Sequence, residues 1–215
     1  MSNAAAKILA IGDIHLGTRP ASVPNDDANI SADLLTPAAA LERATAYAIE
    51  NNVDAVLFAG DVVENKNARY EALRPLEKCI AQLEDNSIQT IGVAGNHDVE
   101  ALPRLAKLLP WFKLLGAGGN WESHTLSKLG KDYAEIFGWS FGSRQVTDSP
   151  VRKLLDKDGF LQNSNAIPRI GLLHCDLGVA TSNYAPVAQE HLRESRFDAW
   201  LLGHIHKPSL QEGRF

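Results

Sequence analysis

"LLGHIHKP", residues 201–208, places a histidine on either side of one isoleucine immediately after an apolar run. Histidine is poor core material and surface histidines scatter. A pair at i, i+2 on the lip of an apolar strand therefore calls for partners elsewhere in the chain. The same grammar recurs upstream: "KILAI" (7–11) runs into Gly12-Asp13-x-His15, "AVLFA" (55–59) into Gly60-Asp61, "TIGVA" (90–94) into Gly95-Asn96-His97-Asp98, and "RIGLLH" (169–174) ends on His174. Near-continuous apolar runs of this kind suit strands covered on both faces. In open α/β sheets ligands gather beyond the carboxyl ends of the strands, so groups remote in sequence meet along one edge.

Between these runs the period changes. Leu41, Ala44, Thr45, Ala48 and Ile49 fall at helical spacing after Thr36-Pro37, a helix start signal. Leu73, Leu76, Ile80 and Leu83 form a second apolar stripe, which Pro75 either opens or kinks. A third helix is expected across "LPRLAKLLPWFKLL" (102–115). In the later half "AEIFGWSF" (134–141), "RIGLLH" and "FDAWLLGH" (197–204) read as strands, with one clear helix, "PVAQEHLRES" (186–195), between the last two. The expected fold is α/β: a four-layer αββα sandwich of two mixed β-sheets flanked by helices, in one domain over residues 1–215. Leu16 to Leu35, polar and rich in Asp and Asn, is expected to form a long surface loop at the active-site edge.

Composition narrows the class. With 45% hydrophobic and 22% charged residues and no repetitive tract, the chain reads as an ordinary globule. The first apolar run is too short to span a bilayer and lacks a signal-peptide cleavage site, so a cytoplasmic protein with no membrane partner is expected. Cys79 and Cys175 suggest no disulfide framework, which agrees with a reducing compartment. A formal charge of −5 argues against nucleic-acid binding by bulk electrostatics alone, although two bound divalent cations would cancel most of it.

Asp13, His15, Asp61, Asn96, His174, His204 and His206 are too many ligands for one ion and suit two divalent ions sharing a carboxylate. Asp13, His15 and His206 are expected at one ion, Asn96, His174 and His204 at the other, with Asp61 bridging. In an extended segment residues i and i+2 share a side, so the imidazoles of His204 and His206 face different metals while Ile205 points back to the core. Such a centre lowers the pKa of a water and neutralises charge at phosphorus, which makes hydrolysis of a phosphate ester the natural chemistry. His97, left without a metal, is the expected proton donor to the departing oxygen, with Asp98 orienting its ring.

The series Asp-x-His, Gly-Asp, Gly-Asn-His-Asp, His, Gly-His-x-His, from Asp13 to His206, resembles the calcineurin-like metallophosphoesterase superfamily. "GDIHLG" (12–17), "NYAPVAQEHL" (183–192) and "FDAWLLGHIHKP" (197–208) are similar to its DNA-repair exonuclease branch, the SbcD-like nucleases. The resemblance implies two manganese ions on those ligands, His97 as leaving-group acid, a DNA substrate and a coiled-coil ATPase partner of the SbcC type. Iron or zinc suits the same mixed nitrogen and oxygen donors. The family continues after its last motif with further strands and a capping region, whereas nine residues follow His206, so these parts are expected to be missing. No basic, aromatic-interleaved surface stands out, which keeps a small-molecule phosphodiesterase or phosphatase, and a non-catalytic scaffold, as alternatives.

Other residues receive plainer readings. His124 and His191 are expected at the surface and Cys175 as a small buried thiol. Trp111, Trp121, Trp139 and Trp200 are expected in core or edge packing. Arg19, Lys66 and Arg144 read first as solvated charges, with contact to a phosphate from loops as the alternative.

Overall fold

Why the apolar runs alternate between two kinds of neighbour becomes clear from the sheets they build. The structure, a computed structural model, describes residues 6–18, 32–64, 72–156 and 167–210. The first sheet has the order β1 (Ile8–Ile11), β2 (Ala55–Ala59), β3 (Gln89–Val93), β4 (Phe112–Leu114), every pairing parallel. The second runs β5 (Trp121–Lys128), β6 (Lys131–Trp139), β7 (Arg169–His174), β8 (Ala199–Gly203), with β5 antiparallel to β6 and the rest parallel.

Three apolar clusters mark the three interfaces of a four-layer sandwich. On β2, Val56 and Phe58 face α1 (Pro37–Glu50), α2 (Leu73–Asp85) and α3 (Ala101–Ala106), meeting Leu41, Leu76, Ile80 and Leu102. Ala55, Leu57 and Ala59, on the opposite face of the same strand, pack with Ile136 and Leu172 of the second sheet. Phe137, Trp139 and Leu173 turn outward to Val151 and Leu154 of α4 (Pro150–Leu155) and Leu192 of α5 (Gln189–Glu194). The expected αββα architecture is what the chain adopts.

Local signals explain the helix starts. Thr36 caps α1, its side chain accepting from the Ala39 N–H at 3.2 Å, with Pro37 in the first turn. Pro75 lies in the first turn of α2, so it opens that helix.

Several expectations need correction. The helix expected over 102–115 ends at Ala106, because Pro110 offers no N–H and the chain beyond it pairs with β3 as β4, Phe112 opposite Thr90. The "WESHTLSK" strand β5 was not expected, since its polar residues gave no apolar run, and His124 lies half-buried on it. Its signal was the turn Leu129-Gly130, both residues at positive φ (51° and 74°), the geometry of a tight two-residue hairpin. Helix α4 was likewise missed despite Ser149-Pro150, a capped start in which Ser149 Oγ accepts from Arg152 N. Trp111 is 56% exposed and packs in neither core, while Trp121 and Trp139 are buried. Leu16 does not begin a surface loop but is buried and bridges to Val63; of the expected loop, residues 19–31 lie outside the described residues, and Ala32–Leu35 form a 3-10 turn. Among the described residues no helix is long and apolar enough to cross a membrane.

Candidate metal centre

The carboxyl ends of β1, β2, β3, β7 and β8 converge on one edge, and two glycines let them do so. A Cβ on Gly203 would stand 2.1 Å from the carbonyl oxygen of Ala59, so β8 and β2 touch there only because side chain is absent. Gly60 sits at φ +87°, and a Cβ on it would meet the His174 ring at 2.6 Å. Just past these contacts the backbone departs from strand geometry: Asp13, His15, Asp61 and His204 have φ of 55°, 51°, 49° and 107°. Left-handed backbone at four non-glycine residues of one site is strain held in place by the surrounding fold.

The side chains form three groups, two of which divide the expected ligands, while the third, His15, Glu64 and His97, shares His15 with the first. Asp13, His15 and His206 make one set of ligand atoms lying within 4.8 Å of one another, and Asp61, His174 and His204 make another. Asp61 also stands 3.8 Å from His15 Nε2, so its carboxylate lies between the groups. Asn96 Oδ1 approaches His174 Nε2 at 3.1 Å. His204 and His206 thus belong to different groups. Ile205, however, is 56% exposed and does not return to the core, because the strand ends at Gly203 and the turn at His204 breaks the two-residue alternation.

The chemistry of the donors fits cations. His174 Nδ1 donates to the Ala59 carbonyl at 3.0 Å, since that oxygen can only accept. Its Nε2 therefore turns a lone pair toward Asp61 Oδ2 at 3.2 Å and Asn96 Oδ1 at 3.1 Å, three lone-pair atoms that repel one another unless a cation lies among them. His15 Nε2 and His206 Nε2 stand 3.3 Å apart, a contact that either a proton on one of them or a cation between them satisfies. A proton can play the cation's part: burial opposes charge on His174, but the hydrogen bond and charge of Asp61, with Asp13 behind it, raise its pKa overall. For Asp61 burial works upward, and the His174 contacts outweigh it and lower the pKa. Burial first, then the charge on His174, lowers His204.

His97 and Asp98 separate in role. Asp98 is fully buried and turned away from the His97 ring, accepting from the N–H groups of Val62 (2.7 Å), Val63 (3.4 Å) and Gly95 (2.7 Å). It ties the Gly-Asp turn to the Gly-Asn-His-Asp turn. Burial, then the charge of Asp61, pushes its pKa up to about 7 against the pull of His174 and of the Val62 and Gly95 N–H groups. The carboxylate that meets the His97 ring is Glu64, with Oε2 2.9 Å from Nδ1 and 3.4 Å from His15 Nδ1. Sequence reasoning passed over Glu64, three residues after Asp61 and beyond the strand; the Leu16–Val63 bridge brings it back beside His15. The His206 side chain is 63% exposed and that of His97 46%, against 0% for His174, so the edge opens to solvent on the side of His97 and His206.

A sequence pattern described as calcineurin-like phosphoesterase matches residues 6–208. This chain belongs to the calcineurin-like phosphoesterase family. Within it, the chain is 26% identical over 208 residues to the DNA double-strand break repair protein Mre11 of Haloferax volcanii, covering 96% of this chain and 42% of that protein. It is 28% identical over 175 residues to the protein of the same name from Methanocaldococcus jannaschii (76% and 43%). Over 162 residues it is 27% identical to the uncharacterized metallophosphoesterase YhaO of Bacillus subtilis (74% and 38%). The chain therefore spans about two fifths of the length of these relatives.

Of the basic residues weighed for contact with a phosphate, Arg19 and Lys66 lie outside the described residues. Arg144 is exposed and stands 3.7 Å from Glu100 in a surface ion pair. His191 is half-buried, with a buried Nδ1 that has no partner among the described residues. Cys175 is buried, and burial pushes its thiol far above the usual range.

Proposed function

We propose that this chain is the catalytic part of a metal-dependent phosphodiesterase that hydrolyses DNA, with two divalent ions held by Asp13, His15 and His206 on one side and Asn96, His174 and His204 on the other, and Asp61 shared. The observation that carries the reading is the meeting of His174 Nε2 with Asp61 Oδ2 and Asn96 Oδ1, a buried donor set that fits a cation. Manganese is the proposed metal, and iron or zinc would suit the same donors. When bound, such ions supply charge neutralisation at the phosphoryl oxygens and acidify a water.

The chain's own residues do the rest. His97, exposed at the open side, protonates the departing oxygen, and Glu64 at 2.9 Å from Nδ1 orients the ring so that Nε2 carries the transferable proton. Asp98 holds the loop carrying both Asn96 and His97 against the Gly60-Asp61 turn. The His97 backbone N–H donates to Asp61 Oδ1 at 2.9 Å, which links acid and shared carboxylate in one frame.

DNA as substrate is supported by the names of the Mre11 relatives and by the resemblance of residues 183–192 and 197–208 to repair exonucleases. A coiled-coil ATPase partner rests on that resemblance alone. To test the reading, metal-stripped protein is reloaded with manganese and given linear duplex DNA, single-stranded DNA and a small aryl phosphodiester. Release of nucleotides from DNA, lost in Asp61→Asn and His97→Ala, supports it. Turnover of the small diester alone replaces the nuclease with a small-molecule phosphodiesterase, and turnover of none by metal-loaded protein overturns the enzymatic reading.

A further inference from the structure

The candidate ligand histidines show a common feature on the side away from the ion sites. His174 gives its Nδ1 proton to the Ala59 carbonyl at 3.0 Å, and His15 turns Nδ1 to Glu64 at 3.4 Å. His204 has its own oxygen, Asp176 Oδ1, 3.4 Å from Nε2. Asp176 is two residues past His174, in a turn that the site as described does not use.

That carboxylate is itself held. Its second oxygen accepts from the Ser182 hydroxyl, whose oxygen in turn accepts from the Tyr184 N–H at 2.9 Å. The Asp176 N–H donates to the Tyr184 carbonyl and its carbonyl accepts from Val187 N, each at 2.9 Å. Bridges Val146–Tyr184 and Leu177–Val187 anchor the turn to the rest of the layer. The Tyr184 ring lies 5.2 Å from that of His204 and closes its other side. The His204 backbone has left the strand at φ 107°, and its N–H is held by the Asp13 carboxylate at 3.0 Å, so it is the ring that Asp176 and Tyr184 orient.

We propose that Asp176 is a positioning residue for His204, keeping the ring proton on Nε2 so that Nδ1 presents its lone pair to the group formed with Asp61 and His174. The inference rests on the reading of that group as an ion site. A ligand histidine whose outer N–H is fixed by a carboxylate has its tautomer and ring orientation set in advance, and loss of such a partner costs about 10- to 100-fold in metal affinity. Ser182 acts one step further out, by fixing Asp176.

The test measures manganese binding by calorimetry to metal-free wild type, Asp176→Asn, Asp176→Leu and Ser182→Ala, and records long-range proton–nitrogen correlations of the His204 ring in the metal-free proteins. Wild type is expected to bind two ions and to carry the His204 proton on Nε2. In Asp176→Leu one of the two sites weakens by about 10- to 100-fold, the other keeps its affinity, and part of the ring proton moves to Nδ1; Asp176→Asn and Ser182→Ala shift the same site by less. If Asp176→Leu does not fold, the Ser182→Ala and Asp176→Asn comparison still decides. Unchanged affinities and an unchanged tautomer in a two-ion protein overturn this inference alone, as does equal weakening of both sites. A wild type that binds no pair of ions overturns the site assignment with it.

Discussion

The two ends of the sandwich treat their carboxylates differently. At the amino ends of the strands Asp54 has fixed partners: it accepts from the Lys7 backbone N–H at 2.8 Å and from the ammonium of Lys128 at 2.5 Å. At the carboxyl ends Asp61, nearly fully buried, has for partners among the described residues His174, His15 and the N–H of His97, and no lysine or arginine. Burying a charge without a full partner is expensive, so one end is finished and the other awaits positive charge from outside. Backbone strain does not follow this division: Asp13, His15, Asp61 and His204 hold positive φ at the carboxyl ends, and Asn52, Ser87 and Leu129 hold it in the turns at the amino ends.

The comparison breaks most severely if the unfinished end proves indifferent to metal. Chelation is expected to abolish phosphodiester turnover and to lower the melting temperature, both restored by manganese, because an ion that binds only the folded state stabilises it. Asp61→Asn should remove turnover and bind fewer ions by elemental analysis, while keeping its N–H acceptor for His97. A melting temperature that ignores chelator and manganese alike would falsify the division drawn between the ends.

Next in size comes the contest between two carboxylates for His97. His97→Ala should lower kcat by about 10²–10⁴-fold with a substrate whose leaving group needs a proton. Glu64→Gln should lower kcat with that substrate, alter the acid limb of its pH profile, and spare a nitrophenyl leaving group, since the ring loses the group that orients it. Asp98→Ala should act mainly on folding. It strands the buried N–H groups of Val62, Val63 and Gly95, each worth about 1–3 kcal/mol if left unpaired, which urea denaturation would register. Equal kinetic behaviour of the Glu64 and Asp98 variants would return the ring to Asp98.

Gly203→Ala probes how closely the site forces the two sheets together. The added Cβ would lie 2.1 Å from the Ala59 backbone oxygen, which has no side-chain freedom with which to yield. A loss of about 1–3 kcal/mol is expected from overpacking, together with weaker metal binding through His174 and His204. Wild-type stability in this variant would mean that β8 stands further from β2 than the structure places it.

How much of this was legible beforehand follows from which residues speak locally. The parallel strands were plain because burial on both faces leaves unbroken apolar runs, as in "AVLFA". The candidate ligand residues stood out because each ends such a run or follows within a few residues of its end. Glu64 was silent, since nothing in "VVEN" marks a carboxylate that a bridge to Leu16 will carry to His15. Asp98 misled for the opposite reason: adjacency to His97 in sequence says nothing about a side chain that the turn directs inward to backbone N–H groups. Strand β5 was hidden by its polar alternation as an edge strand, and β4 by leucines whose spacing also fits a helix.

The smallest effect belongs to the finished end, and its pH dependence sharpens the contrast. Burial would raise the pKa of Asp54, but the hydrogen bond from Lys128 and the Lys7 N–H outweigh it and lower the folded value. A depressed folded pKa contributes stability that is complete above the unfolded aspartate value of about 3.9 and disappears as pH falls through the folded value. Lys128 is more than half exposed, so solvent screens the pair and its removal in Lys128→Met should cost less than about 1 kcal/mol at neutral pH. That difference from wild type should shrink in about 1 M salt, where the screening length is near 3 Å, and shrink again at acid pH, with turnover untouched throughout. The same urea titrations repeated on Asp61→Asn, with and without manganese, set a fixed lysine partner against an exchangeable cation. Wild type and Lys128→Met should respond alike to chelator, whereas Asp61→Asn, with fewer ions to lose, should respond less.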